Sequence, residues 1–159
     1  MSLHHKLGTF KSYGLAQQAK IAEAMLLLAL ARIAVLLIPF ARIARWMEYR
    51  SSSRHFLKTP EPALVYSIRR AVKTASRNAT WKSVCMQQSL AMYAMLARRG
   101  YDSTFRMGAK IDPQGGLQAH AWLEVGSHTV IGEDGLPGIA PLARFGEKTP
   151  KHNSPKIIR

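Results

Sequence analysis

The sequence predicts an α+β protein in which helices occupy the N-terminal part and a small antiparallel sheet follows. Good helix formers, chiefly Ala, Leu, Met and Arg, dominate from about Leu15 to Tyr49. Two further helical patterns follow, and then short alternating segments separated by glycine-containing turns. A length of 159 residues suits one domain, or one domain with a helical extension.

The N-terminal helical run contains a proline. Pro39 predicts the end or a kink of a first helix, and a second helix is expected from Phe40. The stretch from Ala24 to Phe40 is the most apolar, but Arg32 interrupts it, and about twenty clean apolar residues are needed to span a bilayer. The pattern favours a buried helix, with a helix lying on a membrane surface as the alternative.

A loop from Ser51 to Pro62 predicts the boundary between a helical N-terminal segment, residues 1–60, and a core, residues 61–145. The loop contains three consecutive serines and two prolines, which are typical of turns and linkers. The composition of residues 146–159 predicts a basic, flexible tail.

Within the core, periodicity predicts two helices and three strands. Gly100 is the expected C-terminal stop of the second helix, and Gly126-Ser127 suits a two-residue type II′ hairpin. Everything after Gly135 is rich in Gly, Pro and Lys and predicts mostly irregular structure. The predicted elements are a helix from Pro62 to Ala75, a helix from Trp81 or Val84 to Arg98, and strands at Tyr101–Lys110, His120–Val125 and His128–Ile131.

The charge is strongly positive and unevenly spread. The formal net charge is +14, and between Arg42 and Arg99 twelve Lys or Arg residues stand against only Glu48 and Glu61. Such a surface favours an acidic partner, such as an anionic peptide or a lipid surface. No nucleic-acid-binding motif is present and aromatic residues are not interleaved with the basic ones, so we expect no nucleic-acid partner.

The single cysteine excludes an internal disulfide and a multi-cysteine zinc site, and it fits a reducing compartment. The first twenty residues lack the apolar core of a signal peptide, so the expected location is the cytoplasm. The histidines at 4, 5, 55 and 152 show no ligand spacing and no phosphate-binding loop is present. We therefore expect no metal and no cofactor.

Cys85 is a candidate nucleophile. If Ser83 or Thr80 caps the predicted helix, the thiol lies within the first turns of that helix. The positive end of a helix favours a thiolate, which is the attacking form of cysteine.

His120, at the start of the predicted hairpin, is the candidate base. If Gly126-Ser127 forms the tip, counting back along both strands places His120 opposite Glu133, within reach of a carboxylate. A bulge at Gly132 would bring Asp134 in instead. Thiol, imidazole and carboxylate together are the parts of a cysteine nucleophile with its base and orienting acid.

Three motifs follow one another along the chain: the cysteine with SLAMYAMLARRGY after two glutamines, then HAWLEV, then VIGEDG. Together these motifs resemble the transglutaminase-like cysteine protease superfamily. Within that superfamily the sequence is most similar to the B-type leader peptidases of lasso-peptide biosynthesis. The Arg- and Leu-rich N-terminal segment, Trp81 four residues before the cysteine, and the late APLARF also fit, so the resemblance covers about Ile21 to Phe145.

The resemblance implies a papain- or transglutaminase-like core and a peptidase that cuts a ribosomally made precursor between leader and core peptides. It implies Cys85 as nucleophile and His120 as general base and acid. Members of the family usually carry an aspartate soon after the histidine strand. Here Gly132 occupies the position twelve residues after the histidine, and Glu133 and Asp134 follow, so both remain candidates for the third catalytic member.

The resemblance also implies partners. They are a precursor peptide, a separate leader-binding recognition protein and an asparagine-synthetase-like cyclase. Two other interpretations stay open, a transglutaminase-like acyltransferase or amidase acting on another peptide, and a non-catalytic basic scaffold at a membrane surface.

Overall fold

The computed structural model describes residues 14–53, 59–133 and 137–146, and it confirms the predicted α+β class. Helices come first and a four-stranded antiparallel sheet follows. The described elements are α1 (Leu15–Leu37), α2 (Phe40–Ser53), α3 (Pro62–Asn78), α4 (Cys85–Arg98), β1 (Thr104–Ile111), β2 (Leu117–Val125), β3 (His128–Ile131) and β4 (Ala140–Phe145).

The helices largely follow the sequence signals. Pro39 separates α1 from α2, as predicted, because proline cannot continue the hydrogen-bonding pattern of the preceding helix. Pro62 begins α3, which runs three residues beyond the expected end, to Asn78. The helix α2 also continues through Ser53, into the segment predicted as a loop.

The sheet has the strand order β3-β2-β1-β4. Val125 pairs with His128 across the predicted hairpin tip. Gly126 has a φ of 58° and Ser127 does not have a positive φ, which is the pattern of a type II′ turn. The hairpin was therefore predicted correctly at its tip.

The sequence did not predict a strand after Gly135, in the part of the chain expected to be mostly irregular. Ala140–Phe145 forms β4, which pairs with β1 at the edge of the sheet. Phe145 lies opposite Phe105, and its ring also meets that of Phe40, with centroids 5.6 Å apart. Residues 147–159, most of the predicted tail, lie outside the described part of the chain.

Helices and sheet share one hydrophobic core. Leu28 of α1 belongs to the same buried cluster as Ile68 of α3, Met92 of α4 and Phe105 and Leu123 of the sheet. The division at residue 60 stays a prediction. None of the described helices is both long enough and apolar enough to cross a membrane.

Candidate active site

Cys85 is the first residue of α4. Val84 precedes it as the N-cap, with extended backbone angles and no side-chain hydrogen bond to the helix. The expectation that Ser83 or Thr80 caps this helix was therefore wrong, although the thiol lies in the first turn as predicted. An apolar cap leaves the start of α4 without the side-chain oxygen that normally satisfies its amides.

The first turn of α4 consequently presents free backbone donors. The first helical hydrogen bond runs from the Gln88 N–H to the Val84 carbonyl, at 3.2 Å. The amides of Cys85, Met86 and Gln87 have no acceptor within the helix. They form the positive end of the helix dipole, which favours a thiolate and can also hold an oxyanion.

Three buried polar atoms flank the cysteine without a hydrogen-bond partner in the described part of the chain. They are Trp81 Nε1, Ser83 Oγ and Gln87 Oε1. A buried polar group without a partner costs about 1–3 kcal/mol. Such a concentration around one residue is consistent with a site where substrate or solvent supplies the partners. Sequence reasoning considered Trp81 as a possible helix start and as part of the resemblance, and gave it no role in the site.

Two side chains of the second turn attach α4 to its neighbours. Ser89 Oγ donates to the Ala121 carbonyl of β2 at 3.3 Å, and the side-chain amide of Gln88 donates to the Ser76 hydroxyl of α3 at 3.0 Å. These bonds hold the helix that begins with Cys85 against both the sheet and the preceding helix.

The polarity of the elements brings the start of α4 to the histidine end of β2. The chain passes from the C-terminal end of α4 through a short connection into β1, whose first residue pairs with Glu124. Ser89, one turn after Cys85, contacts Ala121, the residue after His120. Helix α4 therefore runs roughly along β2, and its first turn lies toward the histidine.

His120 is held by a backbone carbonyl. It is half-buried, and its Nε2 lies 2.6 Å from the Gly132 oxygen. A carbonyl only accepts, so Nε2 carries the proton and Nδ1 of the neutral ring is left with its lone pair. The imidazole also stacks against Trp122, with ring centroids 6.2 Å apart and planes at 17°. The site therefore fixes both the tautomer and the orientation of the base.

Only glycine fits at position 132. Its φ is 88°, and a Cβ there would lie 2.6 Å from the Ala121 carbonyl oxygen and 2.8 Å from the Trp122 Cβ. The close approach of the two backbones is what brings the Gly132 carbonyl to His120. Sequence reasoning identified Gly132 as a possible bulge position but missed its carbonyl as the histidine's partner.

The predicted pairing of His120 with Glu133 was wrong. The register shifts between Leu123 and Glu124, where Leu123 pairs with Ile131. Counting on from that pair, Glu133 falls opposite Ala121, one residue away from the predicted partner. The extra residue moves the carboxylate away from the imidazole.

Glu133 instead forms an ion pair with Arg69 of α3. Its second oxygen is buried without a partner in the described residues. Asp134, the other acid predicted as third member, lies outside the described residues.

Glu124 supports the site from the side. One of its oxygens accepts from Trp122 Nε1 at 2.9 Å and the other from Arg106 Nε at 2.6 Å. This network fixes the Trp122 ring, and that ring packs on His120. The role of Glu124 is structural.

The structure places Cys85 and His120 at the same end of the α4–β2 pair but does not join them. Within the described residues, no hydrogen bond links the thiol to the imidazole. His120 shares its strand face with Trp122, whereas Ala121 faces α4. The pairing of the Cys85 thiol with the His120 imidazole therefore stays a prediction, and it requires the two side chains to come together when substrate binds.

Residues 27–144 match the transglutaminase-like superfamily, and the chain belongs to that family. The fold and the site thus define a cysteine-based peptidase or acyltransferase framework, with the nucleophile helix packed on an antiparallel sheet. Searches of curated proteins and of solved structures found no match.

Proposed function

We propose that this protein is a cysteine peptidase that removes the leader from a ribosomally made lasso-peptide precursor, with Cys85 as nucleophile and His120 as base. One observation carries the chemistry. The Gly132 carbonyl holds the Nε2 proton of His120 and leaves Nδ1 as the proton acceptor, on the strand to which the cysteine helix is bonded. The leader-peptidase assignment rests on the sequence resemblance described above.

In the proposed reaction, Nδ1 of His120 takes the thiol proton of Cys85, and the thiolate attacks the scissile carbonyl. The tetrahedral intermediate collapses as the imidazolium gives its proton to the leaving amine. The product is a thioester between Cys85 and the leader. Water, deprotonated by His120, then hydrolyses the thioester and restores the thiol.

The oxyanion of each tetrahedral intermediate needs aimed donors. The amides of Cys85 and Met86 have no helical acceptor, and Trp81 Nε1 is buried and unpaired in the described residues. We assign the oxyanion to this group of N–H donors, because donors already in place stabilise developing charge without reorganisation. Nothing in this arrangement requires a metal or cofactor.

The partner of His120 in this site is a backbone carbonyl, whereas a carboxylate triad has an acidic side chain there. Gly132 supplies the carbonyl that accepts the Nε2 proton, a role that an acid fills in many cysteine enzymes. Glu133 contributes through Arg69 and the packing of α3, and Asp134 stays a prediction as an additional acid.

The same chemistry can transfer the acyl group to an amine instead of water. The two outcomes separate by product mass. The test incubates a lasso-peptide precursor, together with its leader-binding protein, with the wild type and with Cys85→Ala, and analyses the products by mass spectrometry. Free leader and core identify hydrolysis, and a leader joined to an added amine identifies transfer.

Thiol reactivity tests the catalytic pair without any precursor. We expect iodoacetamide to alkylate wild-type Cys85 with a pH profile that His120→Gln moves towards that of an ordinary thiol. Ser127→Ala, at the exposed hairpin tip, is the control and should leave the profile unchanged. An unchanged profile in His120→Gln would exclude the pair. If His120→Gln shifts the pH profile as expected but the wild type does not cleave the precursor, the Cys85–His120 pair is retained and the leader-peptidase role is excluded.

A further inference from the structure

The outer face of α1 carries a continuous apolar stripe. Leu26, Leu30, Ile33 and Leu37 follow one another at spacings of four, three and four residues, and their exposures are 59%, 51%, 52% and 76%. The opposite face of the same helix, around Leu28, is buried in the core. A helix that is apolar all round is normally covered on all sides, so this stripe lacks a partner in the described part of the chain.

Aromatic and cationic side chains border the stripe on α2. Trp46 and Tyr49 are exposed to 45% and 71%, and Arg42 and Arg45 are also exposed. Glu48 is the only acidic residue of α2. Tryptophan, tyrosine and arginine are the side chains that occupy the boundary between lipid and water, because each combines an apolar body with a polar end.

A groove of about 650 Å³ opens beside the stripe, between α1, α2 and α4. Its apolar wall includes Leu30, Ile38 and Trp46, and no acidic side chain lines it. Its other lining residues include Arg42, Arg50, Arg98, Leu90 and Ala94. The α4 residues come from its second turn onward, so the groove leaves the Cys85 end of that helix uncovered.

We propose that the stripe and its arginine border bind an anionic lipid bilayer surface, with α1 lying parallel to it. Charge complementarity selects this occupant. Anionic lipids attract the cationic border, and acyl chains cover the stripe and fill the groove. A second copy of the chain would bring together two surfaces of a protein whose formal net charge is +14, which opposes that alternative. The proposal is independent of the proposed peptidase reaction.

Vesicle co-sedimentation tests the proposal on the full chain. We expect binding to vesicles of phosphatidylcholine with phosphatidylglycerol, and at least tenfold weaker binding to vesicles of phosphatidylcholine alone. High salt should weaken the first interaction, because it screens the exposed arginines.

Paired variants separate the stripe from the charge. Ile33→Glu with Leu37→Glu should lower binding at least tenfold, because two exposed apolar contacts are lost. Leu117→Glu with Leu142→Glu is the control, since those residues are 74% and 73% exposed on the sheet, and its binding should stay close to that of the wild type.

Arg42→Glu with Arg45→Glu should lower binding about thirtyfold, since each of the two basic residues near an anionic surface is worth ~1 kcal/mol. Arg77→Glu, on α3, is the matched control. Equal binding by the stripe variant and the wild type would overturn the proposal, and so would the absence of binding to anionic vesicles. A dimer that the stripe variant converts to a monomer, without vesicle binding, would assign the face to a second copy instead.

Discussion

The two ends of α4 are built in opposite ways. At the C-terminal end Gly100 has a φ of 76°, and its amide donates to the Ala97 carbonyl while the Tyr101 amide donates to Leu96, both at 3.1 Å. These bonds satisfy the last carbonyls of the helix. At the N-terminal end the Val84 side chain makes no capping hydrogen bond. Trp81 Nε1, four residues before Cys85, has no hydrogen-bond partner in the described residues.

Arg99 reinforces the closed end. Its guanidinium donates to both oxygens of Glu23 on α1, at 3.0 and 2.6 Å, and to the Met95 carbonyl at 2.8 Å. The hydrogen bond to Glu23 raises the pKa of Arg99. The C-terminal end thus stabilises the fold, and the N-terminal end keeps unsatisfied donors that a substrate can use. Local energetic cost concentrated at one end of a helix is typical of a functional site.

Among substitutions that leave Cys85 and His120 in place, the largest effect on activity should come from Trp81→Phe. The substitution keeps an aromatic ring but removes the buried N–H. If Trp81 Nε1 holds the oxyanion, kcat on the precursor should fall about 10²-fold with little change in KM, because the interaction is made in the transition state.

Trp46→Phe is the control for this substitution. It changes the same residue type on α2, away from Cys85, and kcat should stay within about twofold of the wild type. Equal kcat values for Trp81→Phe and the wild type would remove Trp81 from the oxyanion site. A rise in KM alone would make it a binding residue.

The next effect concerns the position that orients the base. Gly132→Ala should lower the free energy of unfolding by about 2–4 kcal/mol, because a side chain at φ 88° is strained and its Cβ meets the Ala121 carbonyl. Gly115→Ala isolates the backbone contribution, since φ there is 84° and nothing lies within 4 Å. It should cost about 1 kcal/mol. Urea unfolding measures both, and equal losses would show that crowding at Gly132 is unimportant.

The sequence predicted the elements whose signals are local. Pro39, Pro62 and Gly100 mark helix ends through their own backbone chemistry, and Gly126 marks the hairpin tip in the same way. Cys85 lies in the first turn of α4 as predicted, although the predicted Ser83 or Thr80 cap does not form. The family match over residues 27–144 confirms the transglutaminase-like superfamily, and the leader-peptidase subtype stays a proposal.

The features that the sequence did not predict depend on contacts between residues that are far apart in the chain. The strand β4 is exposed at most positions and includes Pro141, so it has no alternating pattern, and pairing with β1 creates it. A single extra residue on β3, Val130 between Thr129 and Ile131, shifts the register, and Glu133 pairs with Arg69, which is 64 residues away, instead of with His120. No local pattern specifies a register shift of this kind.

Tyr93, in the third turn of α4, should make stability depend on alkaline pH. Its hydroxyl donates to the Met47 carbonyl of α2 at 3.2 Å. Burial, helped by Asp102 and opposed by Arg50, raises the pKa of Tyr93 to about 12. Unfolding returns the pKa to about 10, so the stabilisation is complete below pH ~10 and is lost as the pH rises towards ~12.

The loss over that interval should be about 2–3 kcal/mol, from two pKa units. Tyr93→Phe should flatten the curve between pH 10 and 12 while costing about 1 kcal/mol at neutral pH through the missing hydrogen bond. Urea unfolding at several pH values compares the two proteins. Parallel curves would show that another group causes the alkaline loss.

A smaller effect is expected at the closed end of α4. Glu23→Gln should lower the free energy of unfolding by about 1 kcal/mol, because a partly buried ion pair with Arg99 becomes a neutral hydrogen bond. Thiol reactivity of Cys85 should be unchanged, since the pair lies at the other end of the helix. Glu48→Gln, an exposed acid on α2, is the matched control for stability. Altered thiol reactivity in Glu23→Gln would show that the two ends are coupled.

The smallest effect on activity should come from Glu133→Gln, because the Glu133 carboxylate pairs with Arg69 and the Gly132 carbonyl already accepts from His120. The rate should stay within about threefold of the wild type, and stability should fall by less than ~1 kcal/mol, since both partners are partly exposed. Asp134→Asn is the informative comparison. A rate loss in Asp134→Asn alone would make Asp134 an acid that acts beside the carbonyl. A large loss in Glu133→Gln would instead mean that Glu133 leaves Arg69 and reaches the imidazole during the reaction.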